Sequence, residues 1–96
     1  MDKVERRLVE RESLNLLADV RIDGVPGQQR VGLRNISARG LMADGLGNAR
    51  RGQPIWICLN RLGWIEGTVA WVQGNRCGIA LREEIDPDQL RALLIT

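Results

Sequence analysis

The sequence predicts an all-β domain, a small barrel or sandwich, with one short helix at its C-terminal end. Short segments of alternating apolar and polar residues recur through residues 14–81, and turn-forming residues separate them. The pattern changes after residue 85, where a helix start signal precedes leucines spaced three and four residues apart. The 96 residues, 44% of them hydrophobic, are enough for one domain with a single core.

The first half of the chain contains two predicted strands and a short apolar run. Alternation from Leu14 to Ile22 predicts the first strand, and residues 23–27 (Asp-Gly-Val-Pro-Gly) predict the turn that follows. Residues 28–36 form the second predicted strand. A small polar turn at 35–40 then leads into an apolar run at 41–43, and the glycine-rich residues 44–53 predict a loop.

Three further strands are predicted in the second half. Residues 54–59 form the first, and Pro54 suits its opening position. A hairpin at 61–63 leads into residues 64–73, where alternation puts Trp71 on the same face as Val69 and predicts that Trp71 lies in the core. A Gly-Asn turn at 74–75 precedes the last strand, 76–81.

The predicted helix begins at a strong local signal. Asp86 is in the N-cap position and Pro87 in the first helical position. Leu90, Leu93 and Leu94 follow on one face, so we expect a short amphipathic helix that packs against the sheet.

Composition excludes several classes of protein. No apolar run approaches the roughly 18 residues of a membrane span, and the N-terminus lacks the apolar stretch of a signal peptide, so we expect a bacterial cytoplasmic protein. The chain has no His, and Cys58 and Cys77 lie 19 residues apart, which fits no usual zinc spacing. We expect both cysteines to be core or interface residues. No nucleophile-and-base pattern is present, so we expect no catalytic residues and no enzyme.

Charge is unevenly distributed along the chain. The net charge is +2, but residues 21–82 sum to +6 (nine Arg, three acids) and residues 83–96 sum to −3 (one Arg, four acids). All bases except Lys3 are Arg, which is favoured for bidentate contact with phosphate, although a GC-rich genome produces the same bias. The basic middle leaves open a nucleic-acid-binding barrel. The scarcity of aromatic residues counts against it.

Two motifs indicate chemistry. Arg7 and Arg11 form an Arg-x-x-x-Arg within a highly charged segment, residues 1–12, and their guanidinium groups match phosphate oxygens and stack on flat bases. Asn35, Ser37 and Gly40 form an Asn-x-Ser-x-x-Gly in the turn after the second strand. Such a turn offers amide and hydroxyl groups to a ligand and lets it approach the backbone closely.

The order and spacing of these motifs resemble those of the PilZ domain family, the bacterial receptor modules for cyclic di-GMP. Residues 67–71 (Gly-Thr-Val-Ala-Trp) and 78–81 (Gly-Ile-Ala-Leu) are similar to the family's later hairpin, although Leu81 stands where the family often has Phe. The resemblance covers residues 5–95. It implies a six-stranded antiparallel β-barrel with a short C-terminal helix at 13–96, preceded by a charged N-terminal arm at 1–12.

The resemblance also implies a ligand site. Arg7 and Arg11 would hold the phosphates and guanines of cyclic di-GMP, and Asn35 and Ser37 would bind guanine and neighbouring groups. Gly40 would leave room for the ligand, or be required for a positive φ. Arg6 adds a third guanidinium that can stack on a second guanine, which predicts two intercalated ligand molecules per chain. No other cofactor and no metal are implied.

The implied function is a cyclic di-GMP receptor or adaptor. Ligand would draw the charged arm onto the barrel, and this change of conformation would signal to a separate, unidentified protein partner. Two alternatives remain open. One is an interaction adaptor that keeps the PilZ fold but binds no nucleotide, and the other, which we rank last, is the nucleic-acid-binding barrel.

Overall fold

Six antiparallel strands and one helix form the fold in the computed structural model of this protein, which describes residues 16–95. The elements are β1 (Leu16–Ile22), β2 (Gln29–Arg34), β3 (Gly40–Asp44), β4 (Pro54–Leu59), β5 (Gly63–Gln73), β6 (Arg76–Leu81) and α1 (Pro87–Ile95). The strands close into a barrel in the order β1-β2-β3-β6-β5-β4. The predicted six-stranded barrel with a C-terminal helix is therefore confirmed. The predicted arm at 1–12, with Arg6, Arg7 and Arg11, lies outside the described residues.

The strands send every second side chain into the barrel, as the alternation predicts, except in β5 beyond Val69. Burying one such aliphatic side chain stabilises the fold by about 1.5–3 kcal/mol. None of the described residues inside the barrel is aromatic. The buried strand residues are Ala18, Val20, Ile22, Val31, Leu33, Leu41, Ala43, Ile55, Ile57, Leu59, Val69, Cys77 and Ile79.

The loop between β3 and β4 covers one end of the barrel. Leu46 is fully buried and Ala49 nearly so, although both lie in a segment predicted only as a glycine-rich loop. The backbone N–H groups of Gly45 and Leu46 donate to the carbonyl oxygen of Asn75, at 2.8 and 3.0 Å. These bonds join the loop to the β5–β6 turn, so Leu46 fills the core from outside the strands.

Helix α1 begins as its sequence predicts. The carboxylate of Asp86 accepts a hydrogen bond from the backbone N–H of Asp88 at 2.8 Å, which satisfies one of the free donors of the first turn. Leu93 is buried and Leu90 is half-buried against the same core. The side chain of Leu94 lies outside the described part of the chain.

A β-bulge in β5 reverses one prediction. Val69 pairs with Ile79, but Trp71 pairs with Gly78, the immediate neighbour of Ile79, so Ala70 is an extra residue in β5. An extra residue shifts the alternation by one position and turns the following side chains to the other face. Trp71 therefore points outwards and is 38% exposed. The prediction that it lies in the core was wrong.

Both cysteines are free thiols, with Cys77 buried and Cys58 half-buried. Burial raises the pKa of the Cys77 thiol, and the negative charge of Asp44 raises it further. Within residues 16–95 the structure contains no helix with the length and hydrophobicity that a membrane crossing requires.

Candidate functional site

The turn between β2 and β3 is built by Asn35, Ser37 and Gly40. Asn35 has a φ of 51°, in the left-handed region that Asn tolerates better than most residues, and it turns the chain out of β2. The backbone N–H of Ser37 donates to the Gly40 carbonyl oxygen at 2.8 Å. The Ser37 hydroxyl donates to the same oxygen at 3.0 Å and accepts from the Gly40 N–H at 3.2 Å. The motif thus forms a closed turn.

Gly40 is required by a close approach of two strands. A Cβ at this position would lie 2.8 Å from the carbonyl oxygen of Ile79 in β6. Its φ is not positive, so of the two reasons proposed for this glycine, room for a ligand or a positive φ, the second does not apply, and Asn35 is the residue of the motif that adopts a left-handed conformation. A side chain here would push β3 away from β6 or displace the turn.

An open concavity of about 410 Å³ lies beside this turn, over the outer faces of β3, β6 and β5. Gly40 of β3 and Ala80 of β6 are opposite each other in the β3–β6 ladder, so small residues form part of the concavity's floor. The structure brings Asn35, Ser37 and Gly40 together along one edge. The lining residues are Asn35, Ser37, Arg39, Gly40, Leu41, Met42, Ala70, Trp71, Gly78, Ile79 and Ala80.

Trp71 forms the opposite edge of the concavity. Its indole lies against Gly78, where a Cβ on that glycine would overlap the ring. A flat aromatic side chain beside a floor of backbone suits a flat ligand ring, since stacking on tryptophan is favourable for every purine face. The sequence does not identify Trp71 as a site residue, because the bulge that turns it outwards leaves no signal in the alternation.

Charged groups flank the concavity on two sides. Arg39, on the turn, forms an ion pair with Glu84 at 2.7 Å, and both side chains are more than half exposed. Asp44, one row further along β3 than Met42, lies between the guanidinium groups of Arg34 and Arg76 at 3.2 and 2.8 Å. Three guanidiniums and two carboxylates give this rim a net charge of +1, which favours an anionic ligand.

The described chain starts near the turn. Leu16, at the beginning of β1, pairs with Leu33 in β2, two residues before Asn35. The first described residue therefore lies at the end of the barrel that carries the turn. Arg6, Arg7 and Arg11 are outside the described part of the structure.

Comparison with known proteins agrees with this fold. The sequence profile of the PilZ domain matches residues 5–96. Among curated protein sequences none matches the chain. Two solved structures share the fold. The PlzA protein of Borreliella burgdorferi, in complex with c-di-GMP, has a TM-score of 0.60 at 15% identity, over 82% of this chain and 31% of PlzA. The PilZ domain of CeSA from a cellulose-synthesizing bacterium has a TM-score of 0.58 at 14% identity, over 83% and 85% of the two chains.

Proposed function

This chain belongs to the PilZ domain family, typically receptors for cyclic di-GMP, and we propose that it binds cyclic di-GMP in the concavity beside the 35–40 turn. One observation carries the proposal. Asn35, Ser37 and Gly40 line a single concavity whose far edge is the exposed indole of Trp71 and whose floor includes the small residues Gly78 and Ala80. A turn that served structure alone would not require an aromatic side chain held opposite it.

The chemistry of the concavity matches the ligand. Cyclic di-GMP carries two negative charges and two flat purines, so it needs cations, stacking surfaces and polar groups for the purine edges. The amide of Asn35 offers both donors and an acceptor. Trp71 supplies a stacking surface, and Arg39 supplies an exposed cation. The Ser37 hydroxyl already bonds Gly40, and it keeps one further lone pair to accept a hydrogen bond.

We propose that Arg7 and Arg11 complete this site from the N-terminal arm. Four residues separate Arg11 from Leu16, and the five Cα–Cα steps of this extended chain span at most about 17 Å. The near edge of the concavity, at the 35–40 turn and β3, lies two strands from β1, about 10 Å at the usual spacing of about 4.8 Å between strands. The guanidinium of Arg11 therefore has the reach to contact a ligand there, and Arg7 has more.

The proposed mechanism is an ordering of the arm. The chain acts as two parts, the arm at 1–12 and the barrel with its helix at 13–96, and the ligand brings them together because Arg7 and Arg11 bind its phosphates. A surface created or hidden by this change would signal to a separate protein partner. Arg6 stacks on the second guanine in this proposal, which gives two intercalated ligands per chain.

Calorimetric titration with cyclic di-GMP tests the proposal, with cyclic AMP as the control nucleotide. We expect saturable binding of cyclic di-GMP alone, at a stoichiometry near two. If cyclic di-GMP releases no heat and perturbs no amide of the 35–40 turn, the adaptor that binds no nucleotide replaces this function. Binding of single-stranded DNA with a steep salt dependence would instead favour the nucleic-acid-binding barrel.

A further inference from the structure

A second concavity of about 410 Å³ lies next to the candidate ligand site, on the other side of residues 81–85. The backbone N–H of Leu81 donates to the carbonyl oxygen of Arg39 on the side of the turn, and the N–H of Arg82 donates to the carbonyl oxygen of Glu66 on the side of β5. This concavity runs between the β4–β5 hairpin and the segment leading into α1. We name it the acidic groove because three carboxylates line it. The lining residues used below are Leu62, Trp64, Glu66, Arg82, Glu83, Glu84 and Ile85.

The acidic groove combines an apolar floor with excess negative charge. Trp64 is 45% exposed there, and the groove also contains the apolar side chains of Leu62 and Ile85. Three carboxylates face one guanidinium, that of Arg82, which pairs with Glu66 at 3.0 Å. Glu83 forms no ion pair with any residue in the range 16–95. The lining residues therefore carry a net charge of −2 beside an exposed tryptophan. Because Arg39, outside the lining, pairs with Glu84 at 2.7 Å, Glu83 is the lining carboxylate without an ion pair among residues 16–95.

We propose that the acidic groove is the docking site for a basic segment of a protein partner, one in which Arg or Lys alternates with apolar residues. Charge complementarity selects this occupant. An apolar residue would cover Trp64, and cationic neighbours would meet Glu83 and Glu84. An acidic segment would face the same carboxylates and be repelled.

Arg39 links this groove to the ligand site, and this step rests on the proposed function. Arg39 lines the ligand concavity but holds Glu84, which lines the groove. An exposed ion pair of this kind is weak, so a dianionic ligand competes with Glu84 for the guanidinium. Ligand binding then frees the Glu84 carboxylate and strengthens docking of the basic segment. The weakness of the pair limits this gain to about fivefold.

Peptide titration of ¹⁵N-labelled full-length protein tests the docking site without cyclic di-GMP. The probe is a seven-residue peptide of alternating Arg and Leu, and the control peptide has Glu in place of Arg. We expect the basic peptide to shift the amides of residues 62–66 and 82–89. The double variant Glu83→Gln, Glu84→Gln should bind it at least threefold more weakly, while Asp23→Asn, which removes an exposed carboxylate outside the groove, should not differ from wild type. Shifts confined to other surfaces, or equal binding of the acidic peptide, overturn the docking site.

The same titration tests the role of Arg39. In the ligand-free protein, Arg39→Gln should raise the affinity for the basic peptide two- to fivefold, and saturating cyclic di-GMP should do the same for wild type. An unchanged affinity in Arg39→Gln overturns the link. Calorimetry of wild type with cyclic di-GMP decides the proposed function separately, since peptide docking to the ligand-free protein does not depend on that result.

Discussion

The indole of Trp71 lies directly over Gly78 on the outer surface of the barrel, in a space that any Cβ on Gly78 would enter. The two residues are opposite each other in the β5–β6 ladder, just after the bulge that turns Trp71 outwards. The ring can occupy the edge of the candidate ligand site because Gly78 has no side chain. A substitution at Gly78 therefore tests the site.

Gly78→Ala should displace Trp71 and weaken cyclic di-GMP binding. The methyl group would overlap the indole ring, and overpacking of this kind costs on the order of 1–3 kcal/mol. We therefore expect a melting temperature lower by about 4–8 °C for each kcal/mol, altered tryptophan fluorescence, and reduced affinity by calorimetry.

Gly32→Ala is the matched control for this change. Gly32 also lies in a strand, but a Cβ there would meet nothing within 4 Å, so its melting temperature and ligand affinity should equal those of wild type. Full ligand affinity in Gly78→Ala would remove Trp71 from the proposed site.

Gly40→Val should damage the free protein as well as the ligand site. Its Cβ would lie 2.8 Å from the Ile79 carbonyl oxygen, which is backbone and cannot move aside cheaply. Gly47→Val should have a small effect in the same thermal melts and titrations, because a Cβ at Gly47 would meet only the Asn75 side chain, at 3.7 Å. Equal effects of the two substitutions would contradict the close-approach explanation.

Arg7→Ala and Arg11→Ala should each weaken cyclic di-GMP binding at least about tenfold. A hydrogen bond to a charged group contributes roughly 1.5–3 kcal/mol, and every 1.4 kcal/mol is tenfold in affinity. The melting temperature of the ligand-free protein should barely change, because in this proposal the arm meets the barrel only with ligand bound. Wild-type affinity in both variants, measured by calorimetry, would reject the assignment of the arm.

Arg6→Leu should lower the stoichiometry from two ligands per chain towards one. Three guanidiniums within six residues exceed what one dianionic ligand requires, and Arg6 is the candidate for stacking on the second guanine. Calorimetry of wild type and variant measures the number directly. A wild-type stoichiometry of one ligand per chain would contradict the proposed stacking role of Arg6.

The two cysteines should differ in reactivity. The thiolate is the reactive form, and burial together with the charge of Asp44 raises the pKa of the Cys77 thiol. Iodoacetamide at neutral pH should therefore alkylate the half-buried Cys58 at least about tenfold faster than Cys77, as read by mass spectrometry.

The raised pKa also predicts a pH dependence of stability. The unfolded chain releases the Cys77 proton at a lower pH than the folded chain does. The free energy of unfolding is therefore unaffected by this group below the ordinary thiol pKa of about 8.5 and falls as the pH rises above it. Urea denaturation at pH 7 and pH 10 measures the free energy of unfolding at each pH. The decrease between the two pH values should be smaller in Cys77→Ala than in wild type. An equal decrease of the unfolding free energy in the two proteins would contradict the predicted contribution of Cys77.

The strands, the C-terminal helix and three of the candidate site residues could be predicted from the sequence alone, and its resemblance to the PilZ family implied that the strands form a barrel. Alternation is a local property of the chain, so it places Val31 and Leu33 inside the barrel without knowledge of their neighbours. The N-cap of Asp86 is equally local, since its partner is the N–H of Asp88 two residues away. The motif of Asn35, Ser37 and Gly40 closes its turn with bonds across three residues.

Other features depend on residues that are distant in sequence, and these could be seen only in the folded chain. Trp71 points outwards because Ala70 is an extra residue in the β5–β6 ladder. The register of that ladder depends on both strands. Gly40 must lack a side chain because Ile79 of β6 passes next to it, 39 residues further along the chain. Leu46 filled the core from a loop because the β5–β6 turn holds that loop over the barrel. Such contacts arise only when the barrel closes, so no local pattern records them.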